Sequence, residues 1–328
     1  MVDLFEEIDK RRLVVNDYLE ELFVKKEEHI LWEMMSLYPQ AGGKKLRPFL
    51  AMISAGAFGI DEEEALHLGL SIELIHNFTL VHDDIMDQDE LRRGIETVYK
   101  REGISSAINT GDALFALAFK VLTNTELEGK AFRELLHEVA CSVLMVAEGQ
   151  EEDMRFERTF DIEEDEFIEM IEKKTSFLFR ACAKGGAIIA GASDEEKRSM
   201  SEYARKMGIA FQIQDDYLDL VGDEEKLGKP VGSDIRSGKR TLMIIHALNV
   251  LDDKKRHRLI DILEDENNTP AEVNEALEML DRCGALKYAK DRAERYAREA
   301  KEELEILPES DQKELLKDLV DLMVRRSS

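Results

Sequence analysis

Two stretches of the 328-residue chain repeat one pattern of carboxylates, Asp83-Asp84-Ile85-Met86-Asp87 and Asp215-Asp216-Tyr217-Leu218-Asp219. On an α-helix, residues four apart differ in direction by about 40° and adjacent ones by about 100°. Asp83 and Asp87 therefore share a face with Asp84 at its edge, and Asp215, Asp219 and Asp216 repeat the arrangement. Three carboxylates on one turn repel one another. Both triplets also close apolar runs, where the helix dipole gives them no support. Hard divalent cations relieve that repulsion. Mg²⁺ takes oxygen ligands, keeps several waters and commonly shares its shell with substrate phosphates. Two facing Asp-rich helices would hold two or three Mg²⁺ around a diphosphate, with Mn²⁺ as the alternative cation. An EF-hand is excluded, since its loop spacing and Gly are missing. A single triplet in so acidic a chain is ordinarily a wetted helix face. Two copies, each followed by basic and Gly-rich sequence, point to a site.

The basic groups fall in short clusters. Gly42-Gly43-Lys44-Lys45-Leu46-Arg47-Pro48 lies at a helix start, where free N–H groups also favour an anion. Arg92-Arg93-Gly94 follows the first triplet, Lys173-Lys174-Thr175 forms a third cluster, and Lys229 and Lys239-Arg240 follow the second triplet. Arg grips phosphate oxygens bidentately and Lys acts as a point charge. Their joint placement around the carboxylates suggests two phosphorylated substrates, one with metal and one without. His76, seven residues before Asp83, lies almost on the same face. Such a histidine is either a substrate contact or a satisfied, partly buried side chain. There is no Cys/His zinc cluster, no Gly-x-Ser-x-Gly turn and no phosphate loop ending in Gly-Lys-Ser/Thr.

The elements that must carry these groups are helical. Only Pro39, Pro48, Pro230, Pro270 and Pro308 interrupt a chain dominated by Ala, Leu, Glu, Lys and Met, the strong helix formers. The pattern predicts helices at 10–36, 45–57, 62–87, 97–108, 111–124, 128–149, 163–190, 195–221, 238–250, 253–265, 271–282, 285–305 and 310–325. Asp61/Glu64 and Ser193/Glu196 read as capping boxes, and Thr269-Pro270 as a capped start. Pro39 with Gly42-Gly43 is expected to end the first long helix near Leu37. No strand series is expected, so the fold class is all-α. No Pro/Gly/Ser-rich linker divides the chain, and the acidic stretch 151–169 reads as a solvated loop and helix start, so 1–328 is expected to form a single domain.

Composition limits the partners. The net charge of −26 repels nucleic acid and anionic membrane surfaces. Three Cys do not make a paired framework, no signal peptide opens the chain, and the longest apolar stretches are far too short to span a bilayer. Apolar content of 44% suffices for a core. A cytoplasmic protein without a transmembrane segment is expected.

With these residues in order, the chain closely resembles the trans-type isoprenyl (polyprenyl) diphosphate synthases. Gly42–Pro48 is similar to their first basic motif, and Asp83–Asp87 with Arg92-Arg93-Gly94 to the first aspartate-rich motif and its tail. Gly149-Gln150-Glu151-Glu152-Asp153 and Lys174-Thr175 match intermediate motifs. Phe211–Asp219 matches the second aspartate motif, with Gly228-Lys229 and Asp234–Lys239 as its tail. The resemblance implies an all-α isoprenoid synthase-type bundle around a central elongation cavity, usually a homodimer. It implies that Asp83, Asp84, Asp87, Asp215 and, through water, Asp219 hold Mg²⁺. Arg92, Lys174, Gln212, Lys229 and Lys239, assisted by Thr175, would hold an allylic diphosphate. Lys44, Arg47, His76 and Arg93 would hold isopentenyl diphosphate.

The alternatives are a terpene cyclase or head-to-head synthase of the same class, a noncatalytic regulatory subunit of a prenyl synthase complex, or an acidic structural protein. The cluster at Lys44 and Arg47 has a purpose only with a second diphosphate, and both aspartate motifs are intact. Product length follows from the resemblance as well. In the family, bulky residues four and five positions before the first motif close the tunnel, and here these are Thr79 and Phe78. With no insertion between Asp84 and Asp87, the pattern resembles the archaeal geranylgeranyl type and implies mainly a C20 product, ahead of C15, mixed C15/C20 or C25. An ideal helix puts Phe78 about 140° from Asp83 and Thr79 about 40° from it.

Overall fold

The computed structural model describes residues 3–24, 29–222, 231–265 and 267–325. By their internal contacts these form two compact units. Unit 1 comprises Met1–Val143, Leu178–Ser201 and Ile306–Leu316; unit 2 comprises Leu144–Phe177, Glu202–Glu305 and Lys317–Ser328.

Unit 1 is organised on α4 (Leu66–Met86), which is preceded by α1 (Leu4–Val24), α2 (Ile30–Gln40) and α3 (Leu46–Gly56). Between Leu68 and Ile75 every position of α4 is buried. A helix apolar nearly all round belongs inside a domain. Missing β-carbons let its neighbours approach. A Cβ on Gly69 would lie 2.8 Å from Pro48 Cα of α3, and one on Gly186 would lie 2.7 Å from the Ala51 carbonyl. Gly186 belongs to α9 (Phe177–Ile189), which is thereby pressed onto α3.

Several expected boundaries moved, each for a local reason. The predicted helix 10–36 is two helices, since His29 starts α2 by accepting the Leu31 N–H through Nδ1. Pro39 occupies the last turn of α2 and does not stop it at Leu37; the chain leaves at Gly42 and Gly43, with φ of 93° and 101°. The break predicted near 109–110 lies instead at Gly103 (φ 82°), between α5 (Val98–Glu102) and α6 (Ile104–Leu122). Gly111 does not interrupt α6. It makes room for a ring, since a Cβ there would sit 2.2 Å from His82 Nε2. A two-stranded ribbon, β1 (Leu91–Arg92) with β2 (Ile95–Glu96), was not foreseen. Its turn is Arg93-Gly94, both at positive φ (52° and 79°), the backbone that favours tight hairpins.

Unit 2 packs the C-terminal halves of α7 (Gly129–Phe156) and α10 (Asp194–Val221) with α8 (Glu164–Ile171) and later helices. These are α11 (Ser233–Arg236), α12 (Leu242–Val250), α13 (Asp253–Glu264), α14 (Pro270–Arg282), α15 (Ala285–Glu303) and, from Lys317 onward, α16 (Asp311–Val324). Ile209, Ile213, Phe167, Leu242, Leu259, Val273 and Ala289 share one apolar cluster. The capping boxes at Ser193/Glu196 and Thr269/Glu272 form with both bonds, whereas Asp61 caps through the Glu63 N–H. Helix 163–190 was expected to be continuous. A π-helical turn, Glu172–Ser176, divides it.

That turn is held open by two glycines. A Cβ on Gly149 would lie 2.4 Å from the Lys174 backbone nitrogen, and one on Gly208 would lie 2.5 Å from Ser176 Oγ. π-turns inside helices concentrate at functional sites, and Lys174 and Thr175 sit on this one. Gly149→Ala is expected to cost about 1–3 kcal/mol by overpacking. Denaturant unfolding measures it, and an unchanged midpoint would show that the turn yields freely.

Candidate active site

In unit 1 the basic loop and the first aspartate motif are tied into one construction. Lys45, the residue before α3, has φ 49°. It is buried, and its Nζ donates to the Pro39 carbonyl (2.7 Å) and to Glu73 Oε1 (3.0 Å). Lys44 is exposed beside it. The Arg47 guanidinium lies 4.8 Å over the Phe179 ring, and its enclosed Nε has no hydrogen-bond partner. Arg93 Nη1 donates to the carbonyls of Tyr38 (3.2 Å) and Gly42 (3.1 Å). His76 stands among these cations. Burial, then Arg47, Arg93 and Lys45, hold its pKa well below the usual histidine value, so the ring is neutral at neutral pH.

The first triplet is divided by environment. Asp87 is exposed and Asp83 half-buried, and the Asp87 N–H closes the last turn on the Asp83 carbonyl (2.8 Å). Asp84 is only 1% exposed. One of its oxygens accepts from the Tyr38 hydroxyl and the other from Arg92, through Nε (2.7 Å) and Nη2. Tyr38 Oη also accepts the Val98 N–H (3.2 Å). Asp84 was expected as a metal ligand beside an available Arg92; the two are bonded to each other. Burial raises the Asp84 pKa, against the lowering effect of Tyr38 and Arg92.

In unit 2 a small cleft of about 50 Å³ gathers Lys174, Thr175, Gln212 and Lys239. Thr175 Oγ1 donates to Gln212 Oε1 (2.8 Å), and Gln212 Nε2 donates to Asp216 Oδ1 (2.8 Å). Lys174 Nζ is paired with Asp153 Oδ2 (2.5 Å). Asp219 is buried and serves α11: its carboxylate accepts from Ser233 Oγ (2.5 Å) and the Asp234 N–H (2.9 Å). Asp215 is exposed on the same helix. Lys239 Nζ lies 3.7 Å from Asp234 Oδ1. Arg240, read with Lys239 as one basic pair, is buried on the Phe160 ring and donates to the Thr159 carbonyl. Lys229 lies outside the described residues.

Several residues here were not foreseen as participants. Tyr38 carried no signal. Glu73 did: it is the one charged side chain in the apolar run Leu68–Ile75, and a charge there needs a buried partner. Asp153 stood inside a recognised motif without an assigned role, and Asp216 was read as one of the second carboxylate triplet without being named a metal ligand.

Among the described residues no three His, Cys, Asp or Glu side chains converge as a ready metal cage. The donors nevertheless suit a hard cation. Burial first, then the neighbouring Asp234 and Asp215, push the Asp216 carboxyl well above its usual range, and the like-charge part of that push is what a cation would relieve. Mg²⁺ ordinarily completes its shell with water and substrate phosphate, not with protein alone. Among the described residues no helix is long and apolar enough to cross a membrane.

Residues 28–280 match the polyprenyl synthetase family. The chain belongs to that family. Along 98% of its length it is 45% identical to a short chain isoprenyl diphosphate synthase of Methanothermobacter thermautotrophicus, covering 96% of that protein. It is 38% identical to a geranylgeranyl diphosphate synthase of Methanosarcina mazei, over 99% of each chain. The crystal structure of geranylgeranyl pyrophosphate synthetase from Pyrococcus horikoshii superposes with a TM-score of 0.93 at 40% identity, covering 98% of each chain. The fold is thus the all-α isoprenoid synthase bundle, and the protein is a trans-type prenyltransferase.

Proposed function

We propose that the chain condenses isopentenyl diphosphate head-to-tail with allylic diphosphates, stopping mainly at geranylgeranyl diphosphate (C20). The observation that carries this is the presence of two separate sets of phosphate-seeking groups: Arg47, His76 and Arg93 with Lys44 in unit 1, and Lys174, Thr175, Gln212 and Lys239 in unit 2. A cyclase needs only one diphosphate site. Lys229, from its sequence position, joins the second set, and Arg92 is assigned to the allylic side. The reaction takes the whole chain, 1–328, as one catalytic domain working in the cytoplasm as a homodimer.

Asp83, Asp87 and Asp215 would hold Mg²⁺, two or three ions per site, and Asp219 would act through water. Asp84 joins them by yielding Arg92 or holds that guanidinium in place. Bound Mg²⁺ supplies charge neutralisation to the departing diphosphate. The residues around it do the rest. Lys174 and Lys239 place positive charge at the phosphate oxygens, and Gln212, oriented by Thr175, fixes their position. The allylic C–O bond breaks, the double bond of isopentenyl diphosphate supplies the electrons for the new C–C bond, and a proton leaves, with the released diphosphate as its acceptor. Neutral His76 contacts the second diphosphate by donating a hydrogen bond. Water is excluded so that the cation is not quenched.

Product chromatography tests the reading. Isopentenyl diphosphate with dimethylallyl, geranyl or farnesyl diphosphate and Mg²⁺ should give mainly C20. A C15 or C25 product rejects the length, and no condensation by the purified chain points to a regulatory subunit. Subsite assignment has its own test. Arg47→Ala is expected to raise KM for isopentenyl diphosphate about ten- to a hundredfold, the loss of a charge-assisted phosphate contact. The allylic KM should stay close to natural, and the reverse pattern would exchange the subsites.

A further inference from the structure

Beneath the basic loop lies an ion pair for which the reaction has no direct use. The side chains of Lys45 and Glu73 are 1% and 4% exposed, so neither meets a substrate in this arrangement. Burying such a pair costs much of what its attraction returns, and two apolar side chains would stabilise a core as well. The pair does something apolar residues would not. Lys45 is a non-glycine residue in left-handed backbone (φ 49°), a conformation that needs its surroundings to hold it. Its Nζ is fixed at two points, the Pro39 carbonyl at the end of α2 and Glu73 on α4. Asn77 Nδ2 donates to the Glu73 backbone carbonyl (2.7 Å) and reaches Glu73 Oε1, the oxygen that holds Lys45, at 3.4 Å.

The residues around this clamp are those assigned to isopentenyl diphosphate. Lys44 precedes Lys45 directly, Arg47 follows it by two, and His76 stands one helical turn after Glu73. The Glu73 charge also reaches Arg47, where it opposes the lowering effect of burial on the guanidinium pKa. Lys45 thus sets the direction of the chain between the two phosphate-binding cations.

We propose that the buried Lys45–Glu73 ion pair is a positioning device, which holds the loop so that Lys44 and Arg47 meet the diphosphate of isopentenyl diphosphate together. This rests on the substrate assignment proposed above. Glu73 and Lys45 are positioning residues; they act through Lys44 and Arg47.

Four variants test it: Glu73→Gln, Lys45→Met, the double variant Glu73→Gln/Lys45→Met, and Lys45→Arg. Glu73→Gln alone strands a buried ammonium and is the one most prone to misfold. The double variant removes both charges and should melt close to the natural chain. Its KM for isopentenyl diphosphate should rise about tenfold or more, while kcat and the allylic KM change by less than about threefold. Calorimetric binding of isopentenyl diphosphate without metal should weaken by the same factor. Lys45→Arg keeps the charge pair and should stay near the natural KM. A folded double variant with natural KM and natural metal-free affinity would overturn the proposal. So would equal rises in both KM values, or a Lys45→Arg variant as impaired as Lys45→Met. Failure of the natural chain to condense isopentenyl diphosphate at all is a different outcome, and sinks the proposed function first.

Discussion

Asp83→Ala and Asp215→Ala should each lower turnover by about a thousandfold or more, the scale of losing charge compensation at a departing diphosphate. Their far-ultraviolet circular dichroism should be unchanged. Both residues have water access, Asp83 half-buried and Asp215 exposed, and each stands among like charges in a chain of net charge −26. Removing one carboxylate at such a water-accessible position therefore does not open a core. Chelation of divalent metal should abolish turnover in the natural chain just as fully. Asp84→Ala provides the contrast. It removes a carboxylate 1% exposed, leaving the Tyr38 hydroxyl without its acceptor and the Arg92 guanidinium with its remaining bond to Asp89. Breaking a buried pair from one side destabilises strongly, so this variant should lose thermal stability as well as rate. Turnover that survives chelation would remove the metal from the mechanism. Helicity lost in step with activity in Asp83→Ala would make that carboxylate structural.

The difference between these aspartates marks where sequence reasoning stops. Helical spacing put Asp83, Asp84 and Asp87 on one turn, and α4 carries Asp83 and Asp84 with Asp87 directly after it. Spacing says which residues share a face, not what lies opposite. Asp84 meets Tyr38, 46 residues earlier in the chain, through a contact with no local signature. Lys45 illustrates the same limit. In sequence it is one of two adjacent lysines before Arg47, yet Lys44 is exposed and Lys45 is buried on Glu73. The helix inventory was legible where caps and apolar periodicity agreed, as at Ser193 and Thr269. It shifted at 109–110 and at 149, where a boundary was expected and the helix runs on. Gly111 and Gly149 lie inside helices because a neighbour needs the space of their missing side chains, His82 in one case and the π-turn backbone in the other. The turn Arg93-Gly94 was read as charge and is also geometry. Its positive φ values make the ribbon that carries Arg92 to Asp84.

Phe78→Ala should shift the main product from C20 to C25 and longer, if its ring is the floor that stops the growing chain. The helical wheel turned Phe78 away from Asp83, and its contacts agree. Its ring packs edge-on to His82 (4.9 Å between centroids) and tilted on Phe115 of α6 (5.3 Å), which in turn meets Phe119 (5.1 Å). Thr79 is turned differently, with its hydroxyl donated to the His76 carbonyl (2.8 Å). Phe78 is thus an inner member of an aromatic row along α4 and α6, half-buried and held rigid between the His82 and Phe115 rings. A stop needs that rigidity, because a flexible side chain would yield to the added isoprene unit. Truncating a half-buried ring should cost less than the about 3–5 kcal/mol of a fully buried one, so the variant should remain folded and its products readable. The metal-binding carboxylates are untouched, and total condensation should stay near natural while the length distribution moves. Thr79→Phe should act in the opposite sense, shortening the product from the face nearer Asp83. If Phe78→Ala melts at a lower temperature yet still makes only C20, the ring is core packing between α4 and α6. The stop must then be sought elsewhere, with the reaction class unaffected.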